Sequence, residues 1–178
     1  MSPSGTQPGG TTPISTGGTG ATTATTARAN LGVGGANLSV YASGTAYQLT
    51  NTDALLNFGT TDPSLTITSA GVWLILATAR IDYTGATFAA SRTLNLKLRR
   101  TNNTAADIAN STRQGLTDII TTLTYTFGVF ALPPVIYTTT NNNDILELWG
   151  SISTVPSAGS LDASAAEIIA VKLYDQTV

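Results

Sequence analysis

Ten carboxylates, eight basic side chains, six tyrosines and two tryptophans carry the chemistry open to this chain of 178 residues, which has neither cysteine nor histidine. The two absences remove thiolate nucleophiles, disulfides, imidazole bases, the usual serine triad and the common zinc ligand sets. Two carboxylate pairs stand close in sequence, Asp144 with Glu147 and Asp162 with Glu167. A glycosidase needs two carboxyl groups roughly 5 to 10 Å apart across a groove. Asp144 reads as a turn residue and Glu147 as the outward residue of a short strand, so neither pair stands out as an acid and a base. The chain is not expected to be an enzyme. Asn141-Asn-Asn-Asp144 gathers oxygen atoms of the kind calcium accepts. Its plainer reading is a hairpin turn in which asparagine supplies left-handed backbone positions, and neither metal nor cofactor is expected.

Lys97-Leu-Arg99-Arg100 is the basic cluster of the sequence. On an alternating strand Lys97 and Arg99 share one face, and Arg100 begins the following loop. An anionic sugar or a carboxylate would fit there, but a solvated face is the expectation. Gly18-Thr-Gly20 and Gly32-Val-Gly34-Gly35 lack the preceding strand and the following Lys-Ser/Thr of a phosphate loop. Trp73 lies inside an apolar run and reads as core or subunit interface. Trp149 falls out of phase with Leu146 and Leu148, which puts it on an outer face. An outward ring is the usual platform for a sugar, so Trp149, Tyr83 and Asn142 are the candidates for surface binding.

Bulk charge argues against two partner classes. Charged residues make up 10% of the chain, the net charge is −2 and the isoelectric point is near 4.8. Such a surface does not attract nucleic acid or an anionic membrane. The longest apolar run, Ala70 to Ala77, is far shorter than the ~20 residues that span a bilayer. Met1-Ser-Pro-Ser-Gly has no basic region, so no secretory signal is expected there. A chain without cysteine suits a protein that works outside a cell whatever the redox conditions.

The elements that position these groups divide near residue 36. Before it lie nine of the 17 glycines, three of the seven prolines, one charge (Arg28) and no aromatic residue. Residues 1–36 cannot bury a core alone and read as an arm ordered against other chains, with one short turn of helix between Thr22 and Leu31. Residues 37–178 read as β structure. Leu94-Asn-Leu96-Lys-Leu98-Arg99 alternates with the period of a strand, and Leu123-Thr-Tyr125-Thr-Phe127-Gly-Val129 does the same with threonines on its other face. Val72 to Ala77 and Ile168 to Val171 are continuously apolar, so both faces of those strands should be covered, the outer one by another subunit. Turn signals recur at Asp62-Pro63, Ser69-Ala-Gly71, Thr84-Gly85, Thr101-Asn-Asn-Thr104, Asn141 to Asp144 and Ser157-Ala-Gly159. Threonine, 33 residues, favours strands over helices. Eight to ten short strands with this spacing predict an all-β fold, a β-sandwich or jelly roll.

Two resemblances add to this reading. The run Ile14-Ser-Thr-Gly17-Gly18-Thr19-Gly20-Ala21-Thr22-Thr23-Ala24-Thr25-Thr26-Ala27-Arg28-Ala29-Asn30-Leu31-Gly32 resembles a short segment that recurs in bacteriophage tail-fibre proteins. It implies a virion appendage that trimerises and binds other virion proteins through an arm carried by Ile14, Gly17, Gly18, Gly20, Arg28 and Leu31. Leu65-Thr-Ile67-Thr-Ser-Ala-Gly71-Val-Trp73-Leu-Ile75, Asn143-Asp144-Ile145-Leu146-Glu-Leu148 and Ala170-Val-Lys-Leu173-Tyr174 are similar to signatures of C1q/TNF-like jelly rolls. Asn143 and Ala170 stand where that family usually has glycine. The implied fold is a ten-stranded sandwich in a compact homotrimer, with Trp73, Ile75, Ile169, Val171 and Tyr174 in the core or the trimer interface. The function expected is a tail-fibre or appendage subunit whose head contacts a host-surface glycan or protein. The alternative is a capsid decoration or cement protein, and a third reading is a secreted C1q-like adhesin.

Overall fold

The structure is a computed structural model that describes residues 21–31, 37–87, 92–117 and 127–175. Among the described residues one helix, α1 (Ala24–Asn30), precedes the strands. Thr23 caps its start, where Thr23 Oγ1 accepts a hydrogen bond from the Thr26 amide at 3.1 Å. Arg28 sits in the last turn, where a cation complements the carbonyl end.

Two antiparallel sheets face each other. The first contains β1 (Asn37–Gln48), β11 (Ala158–Tyr174), β4 (Gly71–Thr87), and two short strands that both pair with β4, namely β8 (Phe127–Ala131) and β9 (Val135–Thr139). The second is centred on β10 (Asp144–Ile152) and β5 (Arg92–Arg100). One edge of it is shared by β2 (Ala54–Leu55) and β3 (Ser64–Ile67), the other by β6 (Ala106–Asp107) and β7 (Arg113–Thr117). Counting each divided edge as one position gives four positions per sheet. The central pairings join strands far apart in sequence, β1 with β11, β11 with β4 and β10 with β5, as a jelly roll requires, whereas β5 and β6 form a local hairpin. The predicted all-β sandwich is thus the fold observed, with eleven strand segments among the described residues.

The core lies between the sheets and is uneven in side-chain size. The second sheet sends in Leu94, Leu96, Leu98, Leu146 and Leu148, while the first contributes Ala77, Ala79, Ala163, Ala166 and Ala170 around Trp73, Ile75 and Ile81. Large residues on one side thus face small ones on the other, the pairing that close packing favours. Gly150 obeys the same constraint, since a Cβ there would stand 2.9 Å from Leu56 Cδ2 and 3.1 Å from Leu96 Cδ2.

Two expected turns are something else. Thr84-Gly85 lies inside the long β4, and Gly159 lies inside β11 directly against it, at a register shift between Ala158 and Ser160. Both glycines have positive φ, 57° and 69°. A side chain on Gly159 would collide with the backbone of Thr84 and Gly85, so the glycine admits a bulge rather than a reversal. Asn143, with φ 66°, does occupy the left-handed position expected of the Asn-rich turn.

Candidate functional site

The two continuously apolar runs are neighbours. β4 and β11 pair through the centre of the first sheet, with Leu74 opposite Val171 and Leu76 opposite Ile169. Their alternate residues fill the core, so the remaining ones point outward. β9 adds Ile136 beside Leu74, and β8 adds Val129 beside Arg80. β1 adds Tyr41 beside Glu167. Tyr41, Val129 and Ile136 are 64%, 66% and 59% exposed, and Tyr174, at the end of β11, is also exposed. Leu74, Ile169 and Val171 are half-buried only by their neighbours on the same face. The apolar side of the Leu123–Val129 alternation, at its described end, therefore faces out: Val129 is exposed and Phe130 turns toward the core.

Polar groups occupy one end of this face. Thr78 lies beside Glu167, and Arg80 lies beside Ala165 and Val129. With Tyr41 they line a shallow hollow of about 210 Å³ whose floor is the small Ala165 and Ala166. Arg80 Nε donates to Asp82 Oδ1 at 3.0 Å.

The outer face of the second sheet differs in kind. Lys97 Nζ bridges Asp53 at 2.8 Å and Asp107 at 2.9 Å, and Ser151 donates to Asp53 at 2.5 Å. The Lys97 and Ser151 hydrogen bonds hold the Asp53 carboxyl below its ordinary value, and the two acids hold the Lys97 ammonium above its own. Arg99 stacks over the Trp149 ring, 4.7 Å from its centroid, and Trp149 Nε1 donates to Glu147 at 3.1 Å. The predicted shared face of Lys97 and Arg99 is present, but its charges are engaged within the chain. Trp149 does face outward, yet it is half-buried under a guanidinium rather than an open platform.

Asp144 departs most from its expected place. It opens β10, points inward and is fully buried. Tyr137 Oη donates to it at 2.6 Å, Thr139 Oγ1 at 2.5 Å and Asn103 Nδ2 at 2.9 Å, and Arg100 Nη1 stands 3.9 Å away. Tyr137 and Thr139 belong to the first sheet, Arg100 and Asp144 to the second, so one carboxylate ties the two sheets together. Burial pushes its pKa up, but the bonds from Thr139, Tyr137 and Asn103 and the Arg100 charge outweigh that and hold it low. Burial and the Asp144 bond push Tyr137 up to about 12. Arg100 is accordingly the last residue of β5 and not a loop residue.

This arrangement disposes of both carboxylate pairs. Asp144 and Glu147 lie on opposite faces of β10. Asp162 and Glu167 are separated by on the order of 15 Å of strand, and Asp162 accepts from Ser160 at 2.5 Å. The carboxylate oxygens that a calcium ion would need in the Asn141–Asp144 turn are turned inward to tyrosine and threonine.

The remaining predicted residues separate as follows. Trp73 and Ile75 are core, each 0% exposed, whereas Ile169, Val171 and Tyr174 lie on the outer side. Tyr83 is half-buried against the core, and burial raises its pKa. Asn142 is exposed, but its Oδ1 accepts the Ala70 amide at 2.9 Å and so fastens the turn. Arg28 and Leu31 are exposed. Ile14, Gly17, Gly18 and Gly20 lie outside the described residues.

No protein-family model matches the chain, and no curated protein matches it in sequence. Solved structures are similar to it in shape. VP2 of the infectious bursal disease virus subviral particle aligns with a TM-score of 0.50 at 12% identity, over 78% of this chain and 33% of that one. The globular domain of zebrafish complement 1qA gives 0.42 at 12% identity, over 79% and 98%, and Eiger TNF from S. frugiperda gives 0.42 at 16%, over 82% and 92%. The chain therefore spans about one third of the virus protein's length. What it shares with that protein is a fold, the antiparallel jelly-roll sandwich that its own strand order defines.

Proposed function

We propose that the chain is a structural subunit of a bacteriophage virion, a homotrimeric tail-fibre or appendage protein whose head attaches to the host surface. The observation that carries this reading is the outward apolar face built by β4, β11, β9 and β8 from Leu74, Leu76, Val129, Ile136, Ile169 and Val171. Soluble monomers seldom leave a contiguous patch of that kind open, and a closed ring of copies covers it without leaving a free end. The resemblance of residues 14–32 to a tail-fibre segment supports an arm that docks into the particle. The reading is non-enzymatic and needs no cofactor.

In this reading the first sheet is spent on self-association, so host contact falls to the second sheet's outer face and the Asn-rich turn. Three copies of a shallow, weak site then act together through high effective concentration. Two measurements test it. The purified chain should have the mass of three copies, and the trimer should bind host cells where the monomeric Leu76→Asp variant binds far less. A monomeric wild-type chain overturns the reading. Particles lacking the protein should fail to adsorb; heads that burst on heating while adsorption is intact would transfer the protein to the capsid-cement role.

A further inference from the structure

Three strands bring one residue each into a single row across the first sheet: Tyr41 of β1 and Thr78 of β4 stand opposite Glu167 of β11, one on either side. Side chains paired across strands in this way share a face, with Cβ atoms about 5 Å apart. In the next row Ala165 of β11 stands opposite Arg80 of β4. The short alanine among taller neighbours leaves the hollow of about 210 Å³ that Tyr41, Thr78, Arg80, Val129 and Glu167 wall.

The walls differ in what they offer. The Tyr41 side chain is 64% exposed, and the floor is apolar. Glu167 is half-buried, and among the described residues its carboxylate has no hydrogen-bond or ion-pair partner, whereas Asp53, Asp107 and Glu147 on the second sheet each have one. Arg80 is held by Asp82 at 3.0 Å and is not counted as a free cation.

These groups suit a ring with an apolar face and a rim of hydroxyls. Its C–H face can lie on the alanine floor and against the tyrosine. Its hydroxyls can donate to Glu167, a charge-assisted bond stronger than one between neutral groups, and pair with the Thr78 hydroxyl. A simple cation fits less well, because an ion pair open to water gains little and the Arg80 guanidinium stands one row away. An anion would meet Glu167 directly.

We infer that this hollow binds a neutral saccharide, one pyranose ring at a time, with Tyr41 as the stacking platform and Glu167 as the acceptor. The site goes beyond the reading above, which gives host contact to the second sheet. Thr78 lies four residues along β4 from Leu74, about 13 Å of strand, so the hollow sits at the rim of the apolar patch and not at its centre.

The test offers the full chain the methyl glycosides of glucose, galactose, mannose and N-acetylglucosamine one at a time, with binding read by saturation-transfer NMR. At least one should bind with a dissociation constant of about a millimolar, as befits a shallow site and a small ligand. Ala165→Leu fills the hollow and should abolish binding. Tyr41→Ala and Glu167→Gln should each weaken it about tenfold, Tyr41→Phe should retain it, and Glu147→Gln on the second sheet should leave it unchanged. Each variant is checked for an unchanged circular dichroism spectrum. The inference is overturned if no glycoside binds, if binding survives Ala165→Leu, or if propylamine binds there in place of the glycosides. Leu76→Asp leaves the hollow intact and should bind as the wild type does; binding by that variant alone would mean that association buries the hollow, and would overturn the inference for the assembled protein. A wild-type chain that is monomeric and still binds a glycoside removes the trimer and leaves this site standing.

Discussion

On the second sheet Lys97, Arg99, Asp53, Asp107 and Glu147 all find counter-groups on their own face, and even the Trp149 ring is roofed by a guanidinium. On the first sheet one end of the outward face is leucine, isoleucine and valine, from Leu74, Leu76, Ile136, Ile169 and Val171, while the other end carries Thr78, Arg80 and Glu167. Both sheets cover the same core, so the contrast does not come from folding. A face finished with internal ion pairs is a surface that meets water. A face finished with branched aliphatic side chains is the one that the proposed function covers with other copies. The difference lies in the outward phase of each strand: β5 places Asn95, Lys97 and Arg99 there, while the first half of β4 places Leu74 and Leu76 before Thr78 and Arg80.

The strongest way to break that contrast is to place a charge on each face. Leu76→Asp or Ile136→Asp should abolish self-association, a loss of about a thousandfold or more in affinity, whereas Thr66→Asp on the second sheet should leave the mass unchanged in light scattering. Next in size is the junction between the sheets. Asp144→Ala takes the counter-charge from Arg100 and the shared acceptor from Tyr137, Thr139 and Asn103, and should cost about 3–5 kcal/mol in denaturant unfolding. Tyr137→Phe removes one bond to that carboxylate and should cost about 1.5–3 kcal/mol.

A pH series sharpens the picture. Asp144 and Asp53 are held below the usual 3.8, so their stabilisation is complete above that value and is lost as pH falls through the folded values. Tyr137, raised from 10.0 to about 12, contributes fully below pH 10 and loses its contribution as pH rises toward 12, and Lys97, also raised, adds to that alkaline loss. The melting temperature should therefore be flat between about pH 5 and 9 and fall on both sides. Tyr137→Phe should flatten the alkaline fall; an unchanged profile would contradict the assignment. The smallest effect belongs to the second face, where Lys97→Met should cost about 1 kcal/mol or less and less still in high salt.

Much of this was legible in the sequence where one period governed a whole strand. Leu94 to Arg99 alternates and does form β5, and the two doubly apolar runs became the central, mutually paired strands. What escaped was set by contacts remote along the chain. Asp144 reads as a turn residue because it follows three asparagines, and its partners Tyr137, Asn103 and Arg100 come from three other segments. A signal was nonetheless available: Asp144 shares the parity of Leu146 and Leu148, and Tyr137 that of Val135, which is an inward phase for both. The same parity puts Trp149 on the outer side, where it lies, but the arginine above it sits on a neighbouring strand and no local pattern foretells it. Thr84-Gly85 misled because a glycine that permits a bulge looks the same in sequence as one that permits a reversal.

Among the described residues, three of the four sheet edges are divided between two short strand segments, none with more than five described residues: β2 with β3, β6 with β7, β8 with β9. Each interruption breaks the row of free amides and carbonyls that an incoming chain would need to extend the sheet. The longer β1 is closed over part of its length instead, where the Thr45 amide bonds Phe58 O and Thr61 Oγ1 bridges the Ser43 backbone. Copies crowded side by side can then join through faces, which close on themselves, and are kept from joining through edges, which would grow without limit into fibres.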